Sequence, residues 1–219
     1  MSKSAMLDRY WFLTAPEVRF LEAAAERLIP TDEHGPGGRD AGVAVYIDRQ
    51  LASIWGVHGR NYRSGPWPEG TPEQGFQSPL VPQEIYRIGI GEINDYCVRT
   101  YDRPFDQLAA DRQDEVLTAL EKGKIDLPSL SAKLFFDLLL RNTDEGYFAD
   151  PIYGGNRDKV GWKLLGFPGL PSAAYRGHLD KSEPYRAEPV SMLDVQRNEA
   201  QLDAEGFVKH VMIKTSGGK

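Results

Sequence analysis

The chain has 219 residues, of which 41% are hydrophobic and 26% charged, enough for one domain with a substantial core. A net charge of −6 and a pI near 5.3 argue against a nucleic-acid footprint, which would be basic and clustered. A single cysteine, Cys97, excludes an intrachain disulfide and a cysteine-rich metal site, and no apolar run approaches the roughly 18 residues that a membrane-spanning helix needs.

Thr14-Ala-Pro-Glu17 reads as a capping box, and Val18, Leu21, Ala25 and Leu28 recur at helical spacing until Pro30. A turn-rich loop around Gly35-Pro36-Gly37-Gly38 follows. The spacing then predicts a second helix from Val43 to Trp55, with Val43, Ile47, Leu51 and Ile54 on one face. Residues 56–81 are irregular, longer than the roughly 12–15 residues expected of an unstructured loop in a compact domain. Trp55, Tyr62, Trp67 and Phe76 argue against disorder there, because disordered segments are poor in aromatics. An ordered excursion, packed on the domain or on a partner, is the expectation.

Pro82 opens a long helix to about Tyr101, with Tyr86, Ile90, Ile93, Cys97 and Tyr101 on one stripe, so Cys97 reads as a small core hydrophobe. A helix over residues 111–122 uses Val116, Leu117 and Leu120 and ends at Gly123. Ser129 or Ser131 caps the last main helix, which is apolar almost all round and is expected to end near Asn142. Asp137 inside it must be paired if buried. The fold expected is all-α: one irregular helical domain of about five main helices over residues 1–180, with an extended tail over residues 181–219. That tail holds scattered apolar clusters (Val190 to Leu193, Leu202, and FVKHVMI from Phe207 to Ile213) between polar residues. Such a segment cannot cover its ordering entropy by its own burial, and it is expected to be ordered by a partner.

Residues 142–169, NTDEGYFADPIYGGNRDKVGWKLLGFPG, break the helical pattern. Glycines alternate there with Tyr147, Phe148, Tyr153, Trp162 and Phe167, so the backbone can approach closely and the aromatics bring large areas to bury. Two readings stand: a compact loop that closes the helical domain, or a shaped surface offered to a ligand or partner. Within it Asn156 is expected to cap a short helix over residues 157–165. Trp162 is expected to pack on the helix at residues 134–140.

Motifs for chemistry are sparse. His34, His58, His178 and His210 are dispersed and lack metal-ligand spacing. Gly154-Gly155-Asn156 lacks the G-x-G-x-x-G spacing of a dinucleotide loop. Asp150 and Glu145 are the carboxylates best placed to look catalytic; accepting backbone N–H groups is the plainer role for both. A free-standing enzyme using Asp150, Glu145 and His178 in a loop pocket is the alternative that the residues leave open.

The run T-x-E-G-x-F-x-D-P-x-Y-G-G-N from Thr143 to Asn156, then Gly161-Trp162-Lys163 and Gly166-Phe167-Pro168-Gly169, resembles the signature of the gluconate 2-dehydrogenase subunit 3 family. Leu28 to Asp32, Gly35 to Gly37 and Ile47 to Leu51 continue the resemblance, which extends over about Tyr10 to Tyr175. It implies a small, or gamma, subunit of a membrane-associated, flavin-dependent sugar, sugar-acid or glycoside dehydrogenase. In that reading the chain holds no catalytic group, cofactor or metal of its own. FAD belongs to a large partner of the glucose-methanol-choline type, and haem c to a separate cytochrome c subunit. The resemblance also implies a periplasmic complex in which the small subunit supports folding, stability and export of the large one. The residues expected at the partner interface are Trp67, Phe76, Tyr147, Tyr153, Trp162, Phe167 and Phe207. Members often begin with a twin-arginine signal, and residues 1–6 show none. A removed signal, a signal-bearing partner and retention inside the cell all remain open on the sequence.

Overall fold

Thr14 caps the first helix as its spacing predicts, its N–H and hydroxyl donating to Glu17 Oε2 at 2.7 and 2.8 Å. The computed structural model describes residues 10–58, 64–68, 70–71, 78–179 and 181–213, so Tyr62 and Phe76 lie outside the described residues. The main helices are α1 (Ala15–Leu28), α2 (Val43–Leu51), α3 (Pro82–Tyr101), α4 (Ala110–Glu121) and α5 (Ala132–Phe148). Three short ones follow, α6 (Val160–Leu165), α7 (Ala173–Arg176) and α8 (Met192–Gln196). Among the described residues extended pairing is limited to isolated bridges, and the protein is all-α.

The core lies where α1, α3 and α5 meet. Phe135 of α5 is fully buried and stands edge-on to Phe20 of α1 and Tyr86 of α3, with ring centroids 6.2 and 5.8 Å apart. Burying such a ring contributes roughly 1.5–3 kcal/mol relative to leaving it in water. Tyr86, Ile90, Ile93 and Cys97 are buried along α3 as the stripe predicts. Burial pushes the Cys97 thiol up to about 12, so it is no thiolate at neutral pH.

Several expectations need correction. α2 stops at Leu51, not Trp55, because its last carbonyls leave the helix ladder: Gln83 Nε2 donates to Leu51 O at 2.7 Å and the Ser53 hydroxyl to Gln50 O at 2.7 Å. Ile54 is consequently 54% exposed. α5 is capped by Ser131 and continues past Asn142 to Phe148. The glycine that suggested a loop, Gly146, is a packing device inside the helix; a Cβ there would stand 3.0 Å from the Tyr46 ring of α2. α5 also turns a polar face outward, where Asp137 is exposed and paired with Lys133 at 2.8 Å.

The buried carboxylate of the core is instead Asp48, fully enclosed on α2. It accepts from the backbone N–H groups of Trp11, Phe12 and Leu13 at 2.7, 2.9 and 2.8 Å. Charge-assisted bonds to three amides satisfy a group that would otherwise be costly to bury. Asp48 thereby ties the segment before α1 to α2.

Candidate functional site: the segment after α5 and its exposed ridge

Asn156 organises the chain beyond α5. It is fully buried in the left-handed region at φ 46°, which asparagine tolerates better than other non-glycine residues. Its backbone N–H donates to Gly146 O at 2.8 Å and its side-chain Nδ2 to Ala149 O at 2.8 Å. Its Oδ1 accepts from Gly161 N at 2.9 Å. The residue therefore joins the end of α5 to the start of α6 rather than capping one helix of residues 157–165. The helix is in fact interrupted, with a 3-10 turn at Arg157–Lys159 before α6 and positive φ at Asp158 and Lys159. Gly155 is required beside it, because a Cβ there would fall 2.1 Å from the Gly146 carbonyl oxygen. Arg157 N donates to Ala41 O at 2.9 Å, which fastens the segment to the start of α2.

Two of the expected interface aromatics are interior props. Tyr147 is 4% exposed, and its hydroxyl donates to Pro36 O at 2.8 Å. Burial, with Asp32 nearby, pushes its phenol pKa up. Trp162 is 6% exposed and donates from Nε1 to Phe148 O at 2.7 Å, so it anchors at the C-terminal end of α5 rather than at residues 134–140. Tyr153, Phe167 and Phe207 face outward at 51%, 46% and 55% exposure. Trp67 is half-buried, and Phe76 lies outside the described residues.

Next to Phe167 stand two residues that the sequence reading passed over, Leu164 at 50% and Leu165 at 66% exposure. A helix of under two turns that commits Gly161 and Trp162 inward has no core left for the side chains that follow. The Leu-Leu before Gly166 was the available signal. Phe167 is propped edge-on against Trp162 at 5.2 Å and 82°, and its N–H donates to Trp162 O at 2.8 Å. Leu164, Leu165 and Phe167 thus form an apolar ridge on a fixed support.

The tail docks on the same assembly. Leu170 N donates to Val190 O at 2.8 Å and Val190 N to Pro168 O at 3.1 Å. Asp150 Oδ1 accepts from Ile152 N and its Oδ2 from Met192 N, at 3.0 and 2.8 Å, which joins the 3-10 turn Pro151–Tyr153 to α8. Lys159 Nζ meets Asp194 Oδ2 at 2.8 Å with both side chains about one-fifth exposed (21% and 19%). Burial alone would raise the Asp194 carboxyl, but the bonds from Lys159 and Ser191 outweigh it and hold the group below the usual carboxylate range. A cavity of about 270 Å³ lies between segment and tail, lined among others by Gly154, Arg157, Asp158, Lys159, Asp194 and Arg197. The FVKHVMI run is extended and already bonded within the chain: Glu188 N donates to Val211 O and Ile213 N to Arg186 O, at 2.9 and 3.1 Å.

The groups of the enzymatic alternative are occupied structurally. Both oxygens of Asp150 accept backbone N–H groups, as above. Glu145 Oε2 accepts from Asn142 Nδ2 at 2.9 Å and from the Tyr46 hydroxyl at 3.3 Å. Asn142 Oδ1 in turn accepts from the Tyr86 hydroxyl at 2.8 Å, completing a polar link from α2 through α5 to α3. Burial and then the Glu145 charge push the Tyr46 phenol up. His178 Nε2 lies 2.6 Å from Glu183 O. None of Asp150, Glu145 and His178 lines the cavity beside Gly154. Among the described residues no group of three or more His, Cys, Asp or Glu could hold a metal ion, and no helix is long and apolar enough to cross a membrane.

Fold and site together define a class: an all-α protein whose irregular cover, pinned by Asn156 and Trp162, presents apolar side chains to solvent. The model of the family described as gluconate 2-dehydrogenase subunit 3 matches residues 15–169, most of the chain, and this protein belongs to that family. The family's name describes a subunit of a dehydrogenase complex. No curated protein and no solved structure matches the chain.

Proposed function

We propose that this chain is the non-catalytic small subunit of a flavin-dependent sugar, sugar-acid or glycoside dehydrogenase. It binds the large FAD-bearing subunit and supports that partner's folding, stability and export. The observation that carries the reading is the use to which the family-matched segment is put. Asp150, Asn156 and Trp162 hold backbone in place and Glu145 ties α5 to α2, while Tyr153, Leu164, Leu165 and Phe167 are left facing solvent. Exposed apolar side chains on a preorganised support suit a protein partner, since little ordering entropy remains to be lost on association. The tail of residues 181–219 extends that contact through Phe207, and the complex resides in the periplasm, associated with the membrane through its other subunits. A cytochrome c subunit carries electrons onward.

Co-expression with a large flavin-binding oxidoreductase encoded by a neighbouring gene, followed by purification on a tag carried by this chain, tests the reading. The expected product is a stoichiometric complex with the yellow flavin spectrum of the large subunit. Recovery of this chain alone, with the flavoprotein soluble and active without it, would refute the reading.

A further inference from the structure

We propose that residues 207–213 of the tail present one unpaired strand edge, and that an extended segment of the large subunit pairs with it. Main-chain hydrogen bonds to Val208, His210 and Met212 join the two chains. The inference rests on the small-subunit reading above and adds to it a binding mode and the place where it acts.

The pairing pattern within the chain defines the edge. Residues 207–213 run without a turn or bend, and they bond to two other stretches of the tail. Asp203 N donates to Phe207 O and Lys209 N to Gln201 O, both at 2.8 Å, about the antiparallel bridge of Leu202 and Val208. Glu188 N to Val211 O and Ile213 N to Arg186 O form the same pattern about the bridge of Ala187 and Met212. Both bridges use the main-chain groups of Phe207, Lys209, Val211 and Ile213. Successive residues of a strand turn their N–H and C=O to opposite sides, so those of Val208, His210 and Met212 point away from the paired stretches. Among the described residues nothing bonds to these groups. They repeat at about 6.8 Å, twice the rise of a strand residue. Water meets such groups singly; an extended backbone meets them together.

The strand is also braced. Val208 is buried, and His210 Nε2 donates to Leu170 O at 2.8 Å, which leaves Nδ1 to accept from the Tyr185 hydroxyl at 2.8 Å. With the inner face and one side fixed, little ordering entropy remains to be lost when the free side pairs. The outer face is largely apolar, with Phe207, Val211 and Ile213 exposed on either side of Lys209. No proline, which would block pairing, occurs in the run. An exposed apolar edge of this kind is a template for another chain. The matching strand carries apolar side chains over Phe207, Val211 and Ile213 and a polar or acidic one at Lys209.

A second copy of this chain fits the edge less well. Five residues of edge bury far less than the roughly 800 Å² per partner of a stable interface, so the pairing needs further contacts beside it. The large subunit of the reading above supplies them, because His210 is bonded to Leu170, three residues beyond the outward-facing Phe207.

Amide hydrogen exchange in the free chain and in its complex with the co-expressed flavoprotein tests the inference. In the free chain Lys209 and Ile213, which donate within the chain, should exchange more slowly than Val208, His210 and Met212. In the complex those three are expected to slow at least about tenfold, the effect of one main-chain hydrogen bond each. Met212→Pro removes an edge N–H and should weaken the complex about tenfold, whereas Met212→Ala keeps it and should bind within about twofold of the unaltered chain. If the unaltered chain forms no complex, the small-subunit reading fails and the inference with it. If it forms one in which Val208, His210 and Met212 exchange as in the free chain, the reading stands and the strand pairing is refuted. Two other results also overturn the inference. Uniform slowing over residues 207–213 would mean coverage by side chains, and slowing that grows with the concentration of the free chain would assign the edge to a second copy.

Discussion

The helical core and the cover that follows α5 are held by different forces. In the core, Phe20, Tyr86, Phe135, Ile47 and Leu139 are fully buried, and non-directional apolar packing is the main support, beside the Asp48 bonds and the Tyr86–Asn142–Glu145 link. In the cover, residues 149–213, the large buried apolar side chains are few, Trp162 and Val208. Directional contacts do the holding there: the three bonds of Asn156, the two of Asp150 and the Lys159–Asp194 pair. Packing spreads its load over many neighbours, whereas a staple concentrates it in one residue. A cover built by staples can also leave apolar side chains outside, because it does not need them for its own stability.

The comparison is broken most severely in the core. Phe135→Ala should cost roughly 3–5 kcal/mol and lower the melting transition of the helices. A helical transition unchanged within error would show that Phe135 is less central than its burial indicates. Trp162→Ala removes the largest apolar anchor of the cover and should cost roughly 3 kcal/mol, at the low end for a tryptophan, because its neighbours can collapse onto the space. The effect should be local. Hydrogen exchange should accelerate across residues 150–213 while α1, α3 and α5 stay protected. Equal acceleration in both regions would mean that core and cover are one cooperative unit.

Asn156→Ala sharpens the point about staples. It leaves Gly161 N–H and Ala149 C=O without partners in a buried site and places alanine at positive φ, for a cost of roughly 2 kcal/mol. Asn156→Asp keeps the acceptor for Gly161 but sets a carboxylate oxygen against the Ala149 carbonyl and buries a charge, so it should cost at least as much as alanine. Differential scanning calorimetry that finds aspartate as stable as the unaltered protein would contradict the hydrogen-bond account.

What the sequence made legible follows the same division. Apolar periodicity located α1, α3 and α4 and placed Cys97 inside, because packing writes a repeating pattern. The directional part writes none. Asp48 sits within an ordinary-looking Ile-Asp-Arg-Gln-Leu, and nothing local announces that it will accept three amides from residues 11–13. Asp137 stood in the more suggestive setting of LFFDLLL, yet lies on the outer face with Lys133 one turn away. Gly146 looked like a break because a glycine's usual reading is conformational, while here it makes room for Tyr46. The aromatics of the signature were visible as a set. Their division into props (Tyr147, Trp162) and outward rings (Tyr153, Phe167) depends on partners distant in sequence, Pro36 and Phe148 among them.

The smallest effect expected is the most specific to the cover. Asp194 closes α8 onto the segment through Lys159, and it also receives the Ser191 N–H at 2.7 Å. Its folded-state pKa is lowered, so the carboxylate contributes stability that is fully present above its ordinary value of about 3.9. That contribution is lost as the pH falls through the depressed folded value. The pair is mostly shielded but still touches solvent, so docking of the tail should weaken by about 1 kcal/mol at most. The Ser191 amide resonance reports the event directly, since its proton lies on the titrating oxygen. It should shift with a midpoint below the ordinary carboxylate value, and in Lys159→Met the midpoint should move upward, because one of the bonds that outweigh burial has been removed. A midpoint at or above the ordinary value in the unaltered protein would mean that the Lys159–Asp194 contact does not hold the tail in solution, and α8 would then be docked by Asp150 and the Val190 backbone alone.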